Sequence, residues 1–226
     1  MESQVRTTQL RLSPRDLQTA YAISSGDYIE IYGGNIIVTS AVSDGLHGDY
    51  IRMHDGSVTV SGTSGDGLDG DTGFIEINGG TLNVTVATAD TKAIKCDSIL
   101  TINGGNITIT ASGAQSKGLK SDQNITINGG NIDITASGAT VLETVDGVVD
   151  PSYCSAISTD GTVNINGGTI SLTLPASNNG GKGISSDKDI HISDGSLIII
   201  TAGNGVFFPN CPAFQLSSPY KYSISS

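Results

Sequence analysis

The residues best placed to do chemistry are acids at fixed points of a repeat. Asp44-Gly45-Leu46-His47-Gly48-Asp49 and Asp66-Gly67-Leu68-Asp69-Gly70-Asp71 give two neighbouring repeats five carboxylates, with no lysine between Asp44 and Asp71. Hard carboxylate oxygens clustered with turn carbonyls are what Ca²⁺ requires, so Asp44, Asp49, Asp66, Asp69 and Asp71 are the expected calcium ligands. Asp97, Asp122, Asp160 and Asp187 continue the turn position of Asp49 and Asp71. Like charges brought close must be neutralised, protonated or solvated. In later repeats the residue equivalent to Asp44 and Asp66 becomes Lys92, Lys117 or Lys182. The expectation is therefore calcium in the N-terminal repeats and lysine ammonium groups beyond them.

Lys92, Lys95, Lys117 and Lys120 also make a basic patch in a chain of formal net charge −11. Two readings of the patch stay open: contact with sugar hydroxyls or uronate carboxylates, and internal balance of the acids. Signs of catalysis are thin. His47, His54 and His191 fall on different repeats and match no nucleophile triad or zinc spacing. A calcium-assisted lyase would need a base, a role open to Lys95 or Lys120 only with a depressed pKa; no catalytic residue is assigned. The net charge disfavours nucleic acid as a partner. No apolar run approaches the length of a membrane span. The opening MESQVRTTQLRLSPRD lacks the apolar core of a signal segment, which does not establish a cytosolic location.

These side chains must be held by a repeating scaffold. A glycine pair or its variant recurs at Gly33-Gly34, Asp55-Gly56, Gly79-Gly80, Gly104-Gly105, Gly129-Gly130, Gly167-Gly168 and Asp194-Gly195, with spacings of 22, 24, 25, 25, 38 and 27 residues. Three short strands fit each repeat. One reads like Ile125-Thr126-Ile127, the next like Ile107-Thr108-Ile109-Thr110, and the third like Gly118-Leu119-Lys120. Period-2 alternation sends Ile, Leu and Val to one face and polar residues to the other. Stacking pairs each strand with its equivalent one coil away, about 4.8 Å along the axis. Asn78, Asn103, Asn128 and Asn166 would then form a ladder, and the glycine after each asparagine would supply the positive φ of the corner.

The predicted architecture is an all-β parallel β-helix of three strands per coil and about seven coils. It is one domain over 1–226, with an N-terminal cap over 1–20, coils over 21–205 and a C-terminal cap over 206–226. The long spacing places a loop leaving the rod at 142–154. Ser13 and Pro14 read as the start of a short capping helix. Val206-Phe207-Phe208 and Pro219-Tyr220-Lys221-Tyr222 would close the other end. Cys96 occupies a position held elsewhere by Ser121, Thr159 and Ser186, which implies a small buried side chain. Spacing leaves a Cys154–Cys211 disulfide undetermined.

Runs such as Lys117-Gly118-Leu119-Lys120-Ser121-Asp122-Gln123-Asn124-Ile125-Thr126-Ile127-Asn128-Gly129-Gly130, together with Asp66-Gly67-Leu68-Asp69-Gly70-Asp71, resemble the bacterial carbohydrate-binding β-helix family. That family is similar in fold to pectate lyases and occurs on secreted or surface proteins of polysaccharide-degrading anaerobes. The resemblance covers roughly residues 20 to 205. It implies a right-handed β-helix, bound calcium, and non-catalytic binding of cellulose or acidic plant polysaccharides such as polygalacturonate; the expected contacts with such a chain, read from the residues themselves, are Lys92, Lys95, Lys117 and Lys120. It also implies a secreted or cell-surface location. A calcium-dependent polysaccharide lyase and a structural or adhesive surface module are the alternatives.

Overall fold

The computed structural model describes residues 21–145, 147–175 and 181–201, together with the strands Phe214–Leu216 and Ile224–Ser225. The chain winds into a parallel β-solenoid of seven turns with three strands to a turn. Sheet A stacks β1 (Ile23–Ser24), β4 (Leu46–His47), β7 (Leu68–Asp69), β10 (Lys92–Cys96), β13 (Lys117–Ser121), β18 (Ser155–Thr159) and β21 (Lys182–Ser186). Sheet B stacks β2 (Tyr28–Ile31), β5 (Tyr50–Met53), β8 (Ile75–Ile77), β11 (Leu100–Ile102), β14 (Ile125–Ile127), β19 (Val163–Ile165), β22 (Ile190–Ile192) and β24 (Phe214–Leu216). Sheet C stacks β3 (Asn35–Val38), β6 (Ser57–Val60), β9 (Thr81–Val86), β12 (Asn106–Ala111), β15 (Asn131–Ala136), β20 (Thr169–Leu174), β23 (Ser196–Thr201) and β25 (Ile224–Ser225).

Register follows the alternation. Ile51, Ile75, Leu100, Ile125 and Val163 form one inward column of sheet B, each almost wholly buried. Val60, Val84, Ile109, Ile134 and Leu172 form the facing column of sheet C. Burying one such side chain is worth about 1.5–3 kcal/mol. The tubular interior is therefore the main cohesive element, and no single coil could enclose it alone. The equivalence of Cys96, Ser121, Thr159 and Ser186 holds in the register. Ser121 and Thr159 donate to the turn carbonyls of Ser98 and Gln123 in the preceding coil, and Ser186 donates to that of Gly161 at 2.7 Å.

The two corner glycines have different tasks, and the positive φ falls on the second of them, not on the one that follows asparagine. Gly80, Gly105 and Gly130 have φ of 81°, 95° and 97°. The first glycine is needed for close stacking: a Cβ on Gly104 or Gly129 would lie 2.9 Å from the carbonyl oxygen of Asn78 or Asn103 in the coil before. The asparagine ladder is continuous. Asn103, Asn128 and Asn166 each donate from Nδ2 to Oδ1 of the asparagine one coil earlier, at 2.7, 2.7 and 2.9 Å.

The insertion leaves the rod, but as an antiparallel hairpin of β16 (Val141–Val145) and β17 (Val148–Ser152), not as an irregular loop. Backbone pairing satisfies the donors and acceptors of a segment that leaves the sheets. Leu142 and Val149 stand exposed on it, and the chain re-enters the core at buried Cys154. The expected capping helix over 1–20 and the aromatic groups at 206–208 and 219–222 lie outside the described residues, as does Cys211. Within 206–226, β24 pairs with β22 and β25 with β23, so these strands extend the sheets.

Candidate functional site

Two columns of side chains run up the outside of sheet A. The first passes through Asp44, Asp66, Lys92, Lys117, Ser155 and Lys182; the second through His47, Asp69, Lys95, Lys120, Ser158 and Ser185. In the first column the acids turn back on the scaffold. Oδ1 of Asp44 accepts the backbone N–H of Asp66 at 2.6 Å, and Oδ1 of Asp66 accepts that of Lys92 at 2.7 Å. Burial raises the pKa of Asp44 despite its bond from the Asp66 N–H. Burial likewise pushes Asp66 up to about 6, against the opposing Lys92 N–H and ammonium charge.

In the second column Asp69 is almost wholly buried. Its Oδ1 accepts the N–H of Asp71 at 3.1 Å and lies 3.3 Å from Nζ of Lys95. Its Oδ2 faces Nδ1 of His47 at 3.2 Å, and Oδ2 of Asp44 lies 3.4 Å from the same nitrogen. The His47 ring stacks on Tyr21 with centroids 4.2 Å apart.

Of the five acids predicted to hold calcium, only Asp44 and Asp69 converge, and they do so on His47. Asp49, Asp66 and Asp71 lie outside that group. Ca²⁺ takes six to eight oxygen ligands. Here one oxygen from each of Asp44, Asp66 and Asp69 is already held by a backbone N–H, and the point of convergence contains a nitrogen. These residues do not fit a five-carboxylate calcium cage.

Asp97, Asp122 and Asp160 of the acid ladder are paired by Lys95 and Lys120, not by Lys92 or Lys117. Lys95 lies 3.3 Å from Asp69 and 3.2 Å from Asp97; Lys120 lies 3.1 Å from Asp122 and 2.5 Å from Asp160. The reason is alternation: Lys95 and Lys120 stand two residues before Asp97 and Asp122, on the same side of the chain. Lys92 instead pairs with Asp90 at 3.0 Å. Lys182 lies over the Tyr153 ring, 4.2 Å from its centroid. Lys117 donates to the Gln115 carbonyl at 3.0 Å and has no carboxylate within 4.0 Å among the described residues. Gln115 in turn donates to Glu143 of the hairpin at 3.0 Å.

Burial alone would lower the pKa of Lys95, but the charges of Asp69 and Asp97 outweigh it and hold it above the ordinary lysine value. At Lys120, burial is likewise overcome by the bonds to Asp160 and Asp122. Both shifts run opposite to what a lyase base needs. The pKa of Lys117 is lowered, first by burial and then by the charge of Lys92.

Sequence reasoning missed an aromatic rank outside sheet B. Tyr28 stacks on Tyr50 at 4.6 Å between centroids, and Tyr50 meets Phe74 at 5.0 Å. Arg52 lies over Phe74 and bridges Glu30 and Glu76 at 3.1 and 2.7 Å. The signal was an aromatic residue directly before the first isoleucine of a repeat, as in Tyr28-Ile29, Tyr50-Ile51 and Phe74-Ile75. Tyr28 and Tyr50 stack face to face, whereas Phe74 is tilted by 50° against Tyr50 and carries Arg52 over its ring.

The fold and its outer columns thus define a class: a parallel β-solenoid whose flat faces carry regularly spaced polar and charged side chains, with among the described residues no helix long and apolar enough to cross a membrane. A family model described as carbohydrate-binding domain-containing protein matches residues 17–150, and the chain belongs to that family. Comparison with curated proteins and with solved structures finds no match.

Proposed function

We propose that the protein binds an acidic plant-type polysaccharide of the polygalacturonate class, without catalysis, along the outer face of sheet A. Membership of a carbohydrate-binding family supports glycan binding. The observation that carries the choice of an anionic glycan is the pair Lys92 and Lys117. They stand in register on successive coils, and Lys117 is partly buried with no carboxylate partner among the described residues. A uronate carboxylate over the pair would relieve their repulsion and supply the counter-charge Lys117 lacks. Lys95 and Lys120 flank the pair as further contacts, weakened by the aspartates they already hold. Neutral cellulose offers Lys117 no charge. Calcium belongs to this proposal at Asp49 and Asp71, which make no ion pair in the described residues and would share the ion with glycan carboxylates. Such a ligand is met outside the cell, so the reading carries a secreted or surface location with it.

The test is binding to polygalacturonate and to cellulose by wild type, Lys92→Gln/Lys117→Gln and Lys95→Gln/Lys120→Gln. Exposed charge contacts are individually weak, so the first variant should lose about threefold to tenfold in affinity for polygalacturonate at low salt. The difference should shrink as salt rises. Cellulose binding should be unchanged. Full retention of polygalacturonate affinity by Lys92→Gln/Lys117→Gln at low salt would sink the reading. New absorbance from unsaturated sugar ends, with Ca²⁺ present, would overturn its non-catalytic part.

A further inference from the structure

We infer that Asp90 is a built-in counter-ion that occupies the Lys92–Lys117 pair until a carboxylate of the glycan displaces it, and that it thereby restricts the site to de-esterified stretches of a polyuronate. This rests on the reading of sheet A as an anionic-glycan face, and it names which chains that face accepts.

The first observation is that one acid serves both lysines. Oδ1 of Asp90 lies 3.0 Å from Nζ of Lys92. Lys117 stands in register with Lys92 one coil on. Burial and the charge of Lys92 lower the pKa of Lys117, and the charge of Asp90 opposes them. The side chain of Lys92 is 19% exposed and that of Asp90 62%. The cations are therefore set into the face, and the anion lies on its solvent side, where a ligand carboxylate would arrive.

The second observation concerns the backbone beside each lysine. Asp90 and Gln115 have φ of 59° and 61°, in the left-handed region that residues other than glycine rarely adopt. They fill the same turn position: the Asp90 N–H donates to the Ala114 carbonyl at 2.7 Å, and the Gln115 N–H to the Ala139 carbonyl at 2.9 Å, each one coil on. Both turn their own carbonyls onto the lysine two residues later, Asp90 onto Nζ of Lys92 at 2.7 Å and Gln115 onto Nζ of Lys117 at 3.0 Å. Backbone strain of this kind persists only where the surroundings over-determine it. Its result here is two ammonium groups held by neutral main-chain carbonyls, which stay in place when the carboxylate leaves.

The third observation is that the Asp90 carboxylate is lightly held. Lys92 is its only hydrogen-bond partner among the described residues. An exposed ion pair is weak, so a second carboxylate can take its place at little cost. Gln115 brings no charge to Lys117, so two cations face one resident anion, and the surplus positive charge draws a uronate in. A methyl ester or a hydroxyl brings no charge and leaves Asp90 on Lys92. The apparent affinity for the glycan is reduced by the fraction of molecules in which Asp90 has swung away.

The experiment measures binding of the full chain to polygalacturonate, de-esterified and methyl-esterified, at low salt. Asp90→Asn keeps a residue that tolerates the left-handed conformation and removes the charge. It should tighten binding to the de-esterified chain by about twofold to sixfold, the factor by which a weak exposed pair masks a site, and leave the esterified chain unchanged. Asp90→Gly, for which positive φ carries no steric cost, repeats the test if circular dichroism shows that Asp90→Asn does not fold. Asp133→Asn on sheet C, where the acid makes no ion pair among the described residues, controls for net charge and should give no gain. Asp90→Asn added to Lys92→Gln/Lys117→Gln should give none either. Unchanged or weaker binding by the folded Asp90 variant, an equal gain from Asp133→Asn, or a gain that survives the loss of both lysines would overturn the counter-ion role and leave the anionic-glycan reading standing. Wild-type binding that does not depend on the two lysines would bring down both.

Discussion

Asp66→Asn is a substitution that should stabilise this protein, and only at the right pH. Asp66 is held between coils with Oδ1 on the Lys92 N–H, and burial raises its pKa from 3.8 to about 6. The unfolded chain therefore releases this proton near pH 4, while the folded protein keeps it until about pH 6. Over that interval the folded state binds more protons, so the stability contributed by this group is complete below pH 4 and is lost as pH rises through 6. The gap between the two values corresponds to about 3 kcal/mol as an upper bound, and partial solvation reduces it to about 1–3 kcal/mol. Asparagine keeps the acceptor for the Lys92 N–H and removes the charge. Urea denaturation in the presence of chelator, at pH 3.5, 5 and 7, reads the effect directly. The variant should match wild type at the lowest pH and exceed it by about 1–3 kcal/mol at pH 7. A constant difference at all three pH values, or a variant less stable at pH 7, would refute the claim that desolvation of this carboxylate dominates.

Two further substitutions probe the scaffold. Ile127 is fully buried in the sheet B column, so Ile127→Asp should cost about 4 kcal/mol or more in chemical denaturation, and a loss below about 1 kcal/mol would contradict a continuous core. Gly130→Ala places a Cβ 2.9 Å from the Gly105 carbonyl oxygen at a φ of 97°, and should cost about 1–3 kcal/mol, whereas Gly33→Ala, where a Cβ meets nothing within 4 Å, should be close to neutral by the same measurement.

The sequence by itself determined the solenoid. Alternation of Ile, Leu and Val with polar residues is a local property, and it settles which side chains enter the tube, as Ile127 and Ile134 do. The glycine spacing determined where the corners fall, because few other residues tolerate both a positive φ and a neighbouring coil at van der Waals distance. The asparagine ladder followed from the same repeat. What the sequence left open was how each polar side chain divides its bonding capacity once coils are stacked. Asp44 and Asp66 read as metal ligands on composition, yet each commits an oxygen to an N–H one coil away. Lys92 and Lys95 are three residues apart on one strand, but Lys95 reaches Asp69 of the preceding coil, with which it stands in register, while Lys92 pairs with Asp90 two residues before it. His47 matched no spacing rule, since its partner Asp69 is brought beside it by the stacking of two turns. Local pattern decides inside against outside. Only the three-dimensional register decides which charges meet, because those contacts are made between coils.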